Sequence, residues 1–275
     1  DVQNLKINDR VSGEAHLICG HCRKCREGHM HLCHTIQGRG FDCTGCFSEY
    51  FSLPAFYAFK LSDNVSDDIG GMLDPLGNAM HTALNFNLIG ADVLITGAGP
   101  LGMMATAICK HVGARHVVVS DISDYRLELA KNMGADRVLN VKECKDANAN
   151  VAILQTVMHD LDIVDGFDVG LEMSGSQTAI SSMITSMNHG GQMALLGISA
   201  NTININWNEL MFKSLTLQGI YGRKIFATWH TMINLLAGGL NVTPILTHQF
   251  HYTQFKQAFD LMNSGQCGKV ILDWN

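Results

Sequence analysis

Proline is scarce, with 4 residues in 275, and charged side chains make up only 16% of the chain. With 47% of residues hydrophobic, this composition excludes a disordered or collagen-like chain and leaves ample apolar material for a core. There is no basic run, and 19 Lys plus Arg stand against 25 Asp plus Glu, a net charge of −6. That balance excludes a nucleic-acid binder that works through a cationic face. The uncharged stretch Val93 to Cys109, 17 residues, is interrupted by Gly97, Gly99, Pro100 and Gly102, so it makes neither a membrane span nor a secretory h-region. An initiating methionine is absent as well. The sequence opens on Asp1 and runs directly into Leu5 to Val11, read as strand and turn, which predicts either a processed product or a fragment cut inside a fold. The length fits one large or two ordinary domains.

What is present begins with cysteine, nine in all. Cys19, Cys22, Cys25 and Cys33 place four thiols within 15 residues. Spacings of two let consecutive sulfurs turn back onto one ion, and the longer excursion to Cys33 closes the set. Four thiolates make a closed tetrahedral zinc site, which is structural because no position stays open for substrate. Arg23, Lys24 and Arg26 offset part of the negative charge. The alternative, two disulfides in a secreted loop, has no other support in the sequence. Cys43 and Cys46 form a second C-x2-C without a second half. They read as ordinary loop cysteines ahead of Phe47 to Phe51, which alternates like a strand. Cys109, Cys144 and Cys267 stand alone and read as small packed residues.

From about residue 92, strand and helix alternate. Val93 to Thr96 is a short apolar run, followed by Gly97-Ala98-Gly99-Pro100-Leu101-Gly102 and a helical stretch to His111. Val117 to Ser120 is the next strand and ends at Asp121; Ser123 caps a helix with Leu127, Ala130 and Met133 on one face. Arg137 to Val141 and Phe167 to Met173 are further strands. Between them a helix carries Val151, Leu154, Met158 and Leu161. Ile180, Met183, Ile184 and Met187 trace another stripe, and Gln192 to Ile198 and Leu215 to Ile220 complete six strands. The pattern predicts an α/β fold, a doubly wound parallel sheet of the Rossmann type.

G-x-G-x-x-G alone is weak, but here a strand precedes it, a helix follows, and an acidic residue ends the next strand. Gly97 permits the tight turn, Gly99 lets backbone approach a pyrophosphate at the helix N-terminus, and Gly102 allows close helix packing. Asp121, 19 residues past Gly102, can accept from the ribose hydroxyls and opposes a 2′-phosphate, so NAD is expected rather than NADP. Arg126 is the one residue that pulls the other way. His81 and His189 read as a packed and a solvated histidine respectively. The 14 methionines fall largely on the helical stripes and read as core filler.

Longer stretches carry a resemblance. Gly13-Glu14-Ala15-His16 leads into the cysteine cluster, and Asp74-Pro75-Leu76-Gly77-Asn78-Ala79-Met80-His81 precedes the sheet. Gly166 to Gly175, Met187-Asn188-His189-Gly190-Gly191, Gly219-Ile220-Tyr221-Gly222-Arg223 and Ser264 to Leu272 follow. Together they resemble the zinc-containing medium-chain dehydrogenases over nearly the whole chain, and within them the branch acting on threonine. The resemblance implies NAD-dependent oxidation of a small amino-acid alcohol, threonine, to 2-amino-3-oxobutanoate at a zinc-activated hydroxyl, in a cytoplasmic homotetramer. It implies that Cys19, Cys22, Cys25 and Cys33 bind the structural zinc. Leu101, Asp121, Arg126, Leu196, Gly197, Ile198, Ile220 and Tyr221 then contact the cofactor, alongside Gly97, Gly99 and Gly102. Asp74 matches an acidic catalytic position close to the catalytic metal; its plain alternative is an Asp-Pro turn opening a helix over Gly77 to Leu84.

One departure matters. Relatives hold the catalytic zinc with an early cysteine and a His-Glu pair upstream of the four-cysteine lobe. No cysteine lies among the 18 residues before Cys19 here, and His16 is flanked by Ala15 and Leu17. The resemblance therefore implies that about 70 to 80 residues are missing ahead of Asp1, and that a catalytic zinc forms only in the complete protein. The expected organisation is discontinuous. Residues 1–75 are the remainder of a β-rich GroES-like catalytic domain with the zinc loop, 76–222 the dinucleotide-binding domain, and 223–275 a return to the catalytic domain. Two other readings stay open: a polyol dehydrogenase of the sorbitol type, and an NAD-binding derivative without catalysis.

Overall fold

The protein was analysed as a computed structural model that describes residues 2–274. Asp1 and Asn275, the outer ends of the expected first and last segments, lie outside it.

Helix α1 (Leu73–Ala83) leads into the sheet. Then come β1 (Asp92–Thr96), α2 (Pro100–His111), β2 (His116–Asp121), α3 (Asp124–Asn132), β3 (Arg137–Asn140) and α4 (Ala147–Asp160). The second half is β4 (Phe167–Glu172), α5 (Gln177–Ser186), β5 (Met187–Leu195) and β6 (Thr216–Gly219), followed by α6 (Ala227–Ala237) and α7 (Phe255–Ser264). All six strands run parallel in the order β6-β5-β4-β1-β2-β3, the doubly wound arrangement. β1 is buried along its whole length, and its side chains divide by the period of two. Val93 and Ile95 pack with α1, α2 and α6, whereas Leu94 faces Leu154, Ile180 and Met183 on the other side.

Capping fixes where several helices start. Ser123, Asp146 and Ser176 accept from the backbone N–H groups of Arg126, Ala149 and Ala179, as N-cap side chains do. α1 begins at Leu73 rather than Gly77, because Pro75 falls in the first turn, where a missing N–H costs nothing. Met187 belongs to β5 and not to the preceding helix. Between its pairings Phe167↔Met187 and Val169↔Gln192, β5 carries an excursion that includes Gly190 at φ +74°, which extends this strand backwards to Met187. Residues 196–198 fall after it.

The remaining lobe is built from short pieces. Val11–Gly13 pairs antiparallel with Ala58–Lys60, and His16–Leu17 with Gln37–Gly38, so the cysteine loop is held between two small ribbons. Leu246–His251 and Lys269–Asp273 form a parallel pair. The expected strand over Leu5 to Val11 starts only at Val11, after a turn in which Asn8 adopts φ +71° and the Lys6 N–H is bonded to Asp9 Oδ2 at 2.9 Å. Phe47 to Phe51 is not a strand either. Among the described residues no strand pairs with it, and Phe47 and Tyr50 stand 67% and 90% exposed.

Candidate functional site

The sulfurs of Cys19, Cys22, Cys25 and Cys33 all lie within 4.8 Å of one another. One zinc with Zn–S bonds of about 2.3 Å sets four sulfurs about 3.8 Å apart, so the donor set fits a single closed tetrahedral ion. Backbone amides already point at the sulfurs: Cys22 N donates to Cys19 Sγ at 3.3 Å and Cys19 N to Cys33 Sγ at 3.4 Å. The backbone N–H groups of His21 and Cys22 pull the Cys19 thiol down to about 5, whereas burial pushes Cys25 up to about 12. No disulfide forms among these cysteines, nor with Cys43 or Cys46.

The glycine loop joins β1 to α2 at the carboxyl edge of the sheet. Gly97 has φ +94°, and a side chain there would press on the Met173–Ser174 backbone at 3.0 Å. A Cβ on Gly102 would collide with the Gly97 carbonyl oxygen, whereas one on Gly99, the N-cap of α2, would meet open space. A cradle of this form admits a pyrophosphate at a helix N-terminus. Asp121 pins the loop from the next strand. Its Oδ2 accepts from Ala98 N at 2.7 Å, and its Oδ1 from Ile122 N and Ser123 N at 2.8 and 2.9 Å. Three of about four acceptor positions are used, which leaves one for a ribose hydroxyl.

Beyond the loop opens a cleft of about 440 Å³, lined among others by Gly97, Gly99, Asp121, Arg126, Asn150 and Thr178. The Arg126 Nε is buried there without a hydrogen-bond partner. A larger groove of about 860 Å³ lies at the amino ends of β4 and β5, around Gly166 and His189. It is on the wrong edge for a dinucleotide, because α/β sheets bind ligands outside the carboxyl ends of their strands. Leu101 sits in the first turn of α2, and Leu196, Gly197, Ile198, Ile220 and Tyr221 continue the carboxyl rim past β5 and β6 without lining the cleft itself. Gly197 lies directly against Gly175, and Ile198 is 95% exposed.

Two carboxylates went unnoticed in the sequence. Glu172, 1% exposed at the end of β4, accepts from Ser174 N and Gly175 N at 2.8 and 2.9 Å and from Ser174 Oγ at 2.5 Å, which shapes the loop opposite Gly97. A glutamate ending an apolar strand before Ser-Gly was the available clue. Glu14 is fully buried, and nothing in Gly-Glu-Ala-His announced it. Its Oε1 accepts from Arg223 Nη2 and from His16 Nδ1, the latter at 2.9 Å, and its Oε2 from Trp229 Nε1 at 2.8 Å. Burial pushes this carboxyl up, but His16, Arg223 and Trp229 outweigh it and hold it below the ordinary carboxylate value.

Arg223 Nη2 also donates to Asp74 Oδ2 at 2.5 Å, and Nη1 to Asn78 Oδ1 at 3.2 Å. Asp74, in the first turn of α1, is thus committed to an ion pair, with 38% of its side chain exposed. Nearby, His81 Nδ1 donates to the Gly222 carbonyl at 3.0 Å, and its ring meets His31 edge-on at 5.4 Å. Burial lowers the affinity of both rings for protons, that of His31 to about 4. Among the described residues the four cysteines are the only cluster of three or more metal-binding side chains. Asp74, Glu14 and His16 therefore do not fit a catalytic zinc: the carboxylates share Arg223, and His16 is bonded to Glu14.

A parallel dinucleotide sheet joined to a four-thiolate lobe defines a class, and comparison agrees. The sequence profile for zinc-binding dehydrogenases matches residues 100–238, and that for the alcohol dehydrogenase GroES-like domain matches residues 1–63. The chain belongs to the zinc-containing medium-chain dehydrogenases, enzymes of the alcohol dehydrogenase type. Within that class it is 55% identical over 274 residues to the L-threonine 3-dehydrogenase of Vibrio vulnificus strain CMCP6, covering 100% of this chain and 78% of the relative. The L-threonine 3-dehydrogenase of Pseudoalteromonas atlantica is 54% identical over the same shares. Among solved structures, an Escherichia coli alcohol dehydrogenase in complex with NADH superposes with a TM-score of 0.87 at 25% identity, covering 97% of this chain and 77% of that one. Galactitol-1-phosphate dehydrogenase from Escherichia coli does so with 0.87 at 25% identity, covering 98% and 78%.

Proposed function

We propose that the complete protein oxidises the secondary hydroxyl of L-threonine to 2-amino-3-oxobutanoate with NAD as acceptor. The observation that carries this reading is identity: 53 to 55% to curated L-threonine 3-dehydrogenases, against 25% to the polyol-type neighbour solved from Escherichia coli. When bound, the cofactor and a catalytic zinc supply hydride acceptance and Lewis acidity. This chain's part is to bind and orient. Gly97, Gly99 and Gly102 bring α2 close under the pyrophosphate, and Leu101 packs in its first turn. Asp121 accepts from the adenosine ribose, and Arg126 closes that side. Leu196, Gly197, Ile198, Ile220 and Tyr221 guide the nicotinamide half along the rim towards Asp74, which is held by Arg223, two residues past Tyr221.

Cys19, Cys22, Cys25 and Cys33 hold the structural zinc, and the ligands of a catalytic zinc come from residues other than those of this sequence. Support for the second statement is the engagement of Asp74, Glu14 and His16 with Arg223 and with one another. The division into residues 1–75, 76–222 and 223–275 is part of the same proposal. The polypeptide expressed as given is expected to form no NADH at 340 nm with threonine and NAD, while the full-length gene product does. Turnover of sorbitol but not threonine by the latter would replace this reading by a polyol dehydrogenase.

The same reading includes a cytoplasmic homo-oligomer. No helix among the described residues is long and apolar enough to cross a membrane. The outer edge of β6 has no strand partner among the described residues, and the short helix Trp207–Phe212 beside it leaves Trp207, Met211 and Phe212 exposed. Phe212→Asp should shift the full-length protein to a smaller species by light scattering; an unchanged mass would place the interface elsewhere.

A further inference from the structure

The segment after β6 carries the rim from Ile220 to Arg223, yet the sheet stops holding it at its first residue. The Ile220 N–H donates to the Leu195 carbonyl at 2.9 Å, and the next main-chain anchor downstream is the Lys224 N–H on Thr228 Oγ1 at 3.0 Å. Between them, among the described residues, one hydrogen bond holds the backbone. His81 Nδ1 donates to the Gly222 carbonyl at 3.0 Å, from a residue 141 positions away. Gly222 has φ +54°, a conformation that glycine enters at little cost and leaves as readily. Without that bond the Gly222–Arg223 peptide plane is free to turn, because the Arg223 side chain makes its hydrogen bonds only at the guanidinium end.

His81 is itself braced. It lies in the last turn of α1, 8% exposed, and its ring meets the ring of His31 edge-on, at 5.4 Å and 88°. His31 stands between Cys25 and Cys33, is also buried, and lines a crevice with Tyr221, Gly222 and Arg223. The four-cysteine loop is therefore the wall against which the His81 ring is set. An apolar side chain would fill this place in α1 as Met80 and Ala83 fill theirs. A histidine adds one directed donor, and its target is a carbonyl of the rim.

We propose that His81 is a positioning residue for the nicotinamide half of the cofactor: braced by His31 of the zinc loop, it holds the Gly222 peptide plane and so sets how Tyr221 faces the rim. The inference rests on the reading of Ile220 and Tyr221 as nicotinamide contacts and deepens it, since His81 does not line the cofactor cleft and acts through the main chain. Losing one buried hydrogen bond cuts the share of molecules with the competent backbone about tenfold, and the apparent dissociation constant rises by the same factor.

Calorimetric titration of the full-length gene product with NADH and with ADP-ribose, which lacks the nicotinamide, separates the two halves. The wild type should bind NADH more tightly than ADP-ribose. His81→Leu, which removes the donor and still fills the site, should weaken NADH about tenfold and leave ADP-ribose within about twofold. His81→Ala carries the same expectation and serves if the leucine variant does not fold. His81→Asn places an amide N–H where Nδ1 was and should recover NADH to within about threefold of the wild type, a rescue that a role in packing alone does not give. His31→Ala should weaken NADH in the same selective sense, by about threefold. The proposal is overturned by equal loss of both ligands in the donor-free variant, by no loss, by an asparagine variant no better than leucine, or by an unchanged preference in His31→Ala. Each of these leaves the cofactor reading standing. A wild type that binds both ligands alike removes the nicotinamide assignment of Ile220 and Tyr221 together with this inference, and one that binds neither removes the cofactor reading as well.

Discussion

Gly102 has no room for even a methyl group, since a Cβ there would enter the Gly97 carbonyl oxygen. Gly102→Ala should therefore push α2 away from β1, cost about 1–3 kcal/mol of stability, and weaken NADH binding. Urea unfolding and fluorescence titration read the two effects, and an alanine variant that keeps both would mean the turn relaxes freely. His81 gives a second expectation. Burial keeps it neutral in the fold, so its folded pKa lies below the ordinary 6.5. Below that value the unfolded chain takes up more protons than the folded one, so the stability that His81 contributes is present above pH about 6.5 and is lost as the pH falls. His81→Gln should flatten the acid side of a melting-temperature profile. Individual residues divide sharply in how legible they were. Gly97, Gly102, Asp121 and the four cysteines announce themselves by spacing. Glu14 and Arg223 do not, because 209 residues separate two side chains that meet only after folding.

At the level of elements, α4 depends on its first turn. Asp146 accepts from Ala149 N at 2.9 Å, and Asp146→Ala should lower stability by about 1 kcal/mol, read from the urea midpoint. Elements of the sheet were readable because a parallel strand is apolar on both faces and each helix has a cap or a glycine at its boundary. The misreadings share one cause. Phe47 to Phe51 alternates as a strand does, but alternation only proposes a strand, and a neighbouring strand must accept its hydrogen bonds. Met187 sat at helical spacing from Met183, yet pairing with Phe167 drew it into β5. Asn8 is the opposite case. Its φ of +71° is the left-handed conformation that asparagine tolerates best after glycine, so the residue suits the turn that the strand reading overran.

For the molecule as a whole, the zinc loop and the nucleotide sheet should come apart experimentally. The loop has little core of its own; Cys25, His31 and Cys33 are its buried side chains. Chelation, or Cys33→Ser, should lower bound zinc to none and open residues 19–39 to trypsin at Arg23, Arg26 and Arg39, while the sheet keeps its own melting transition. Mass spectrometry of the fragments checks this, and a loop that stays resistant without metal would show that packing alone suffices.

One contact limits how these parts can move. The Arg223 guanidinium, on a residue only 1% exposed, joins the amino-terminal lobe through Glu14 to helix α1 through Asp74 and Asn78. Pulling it free strands a charge away from water, at about 3–5 kcal/mol. Any breathing between the lobe and the sheet must then turn about this pin like a door on a hinge, and the opening it makes is widest at the side farthest from Arg223.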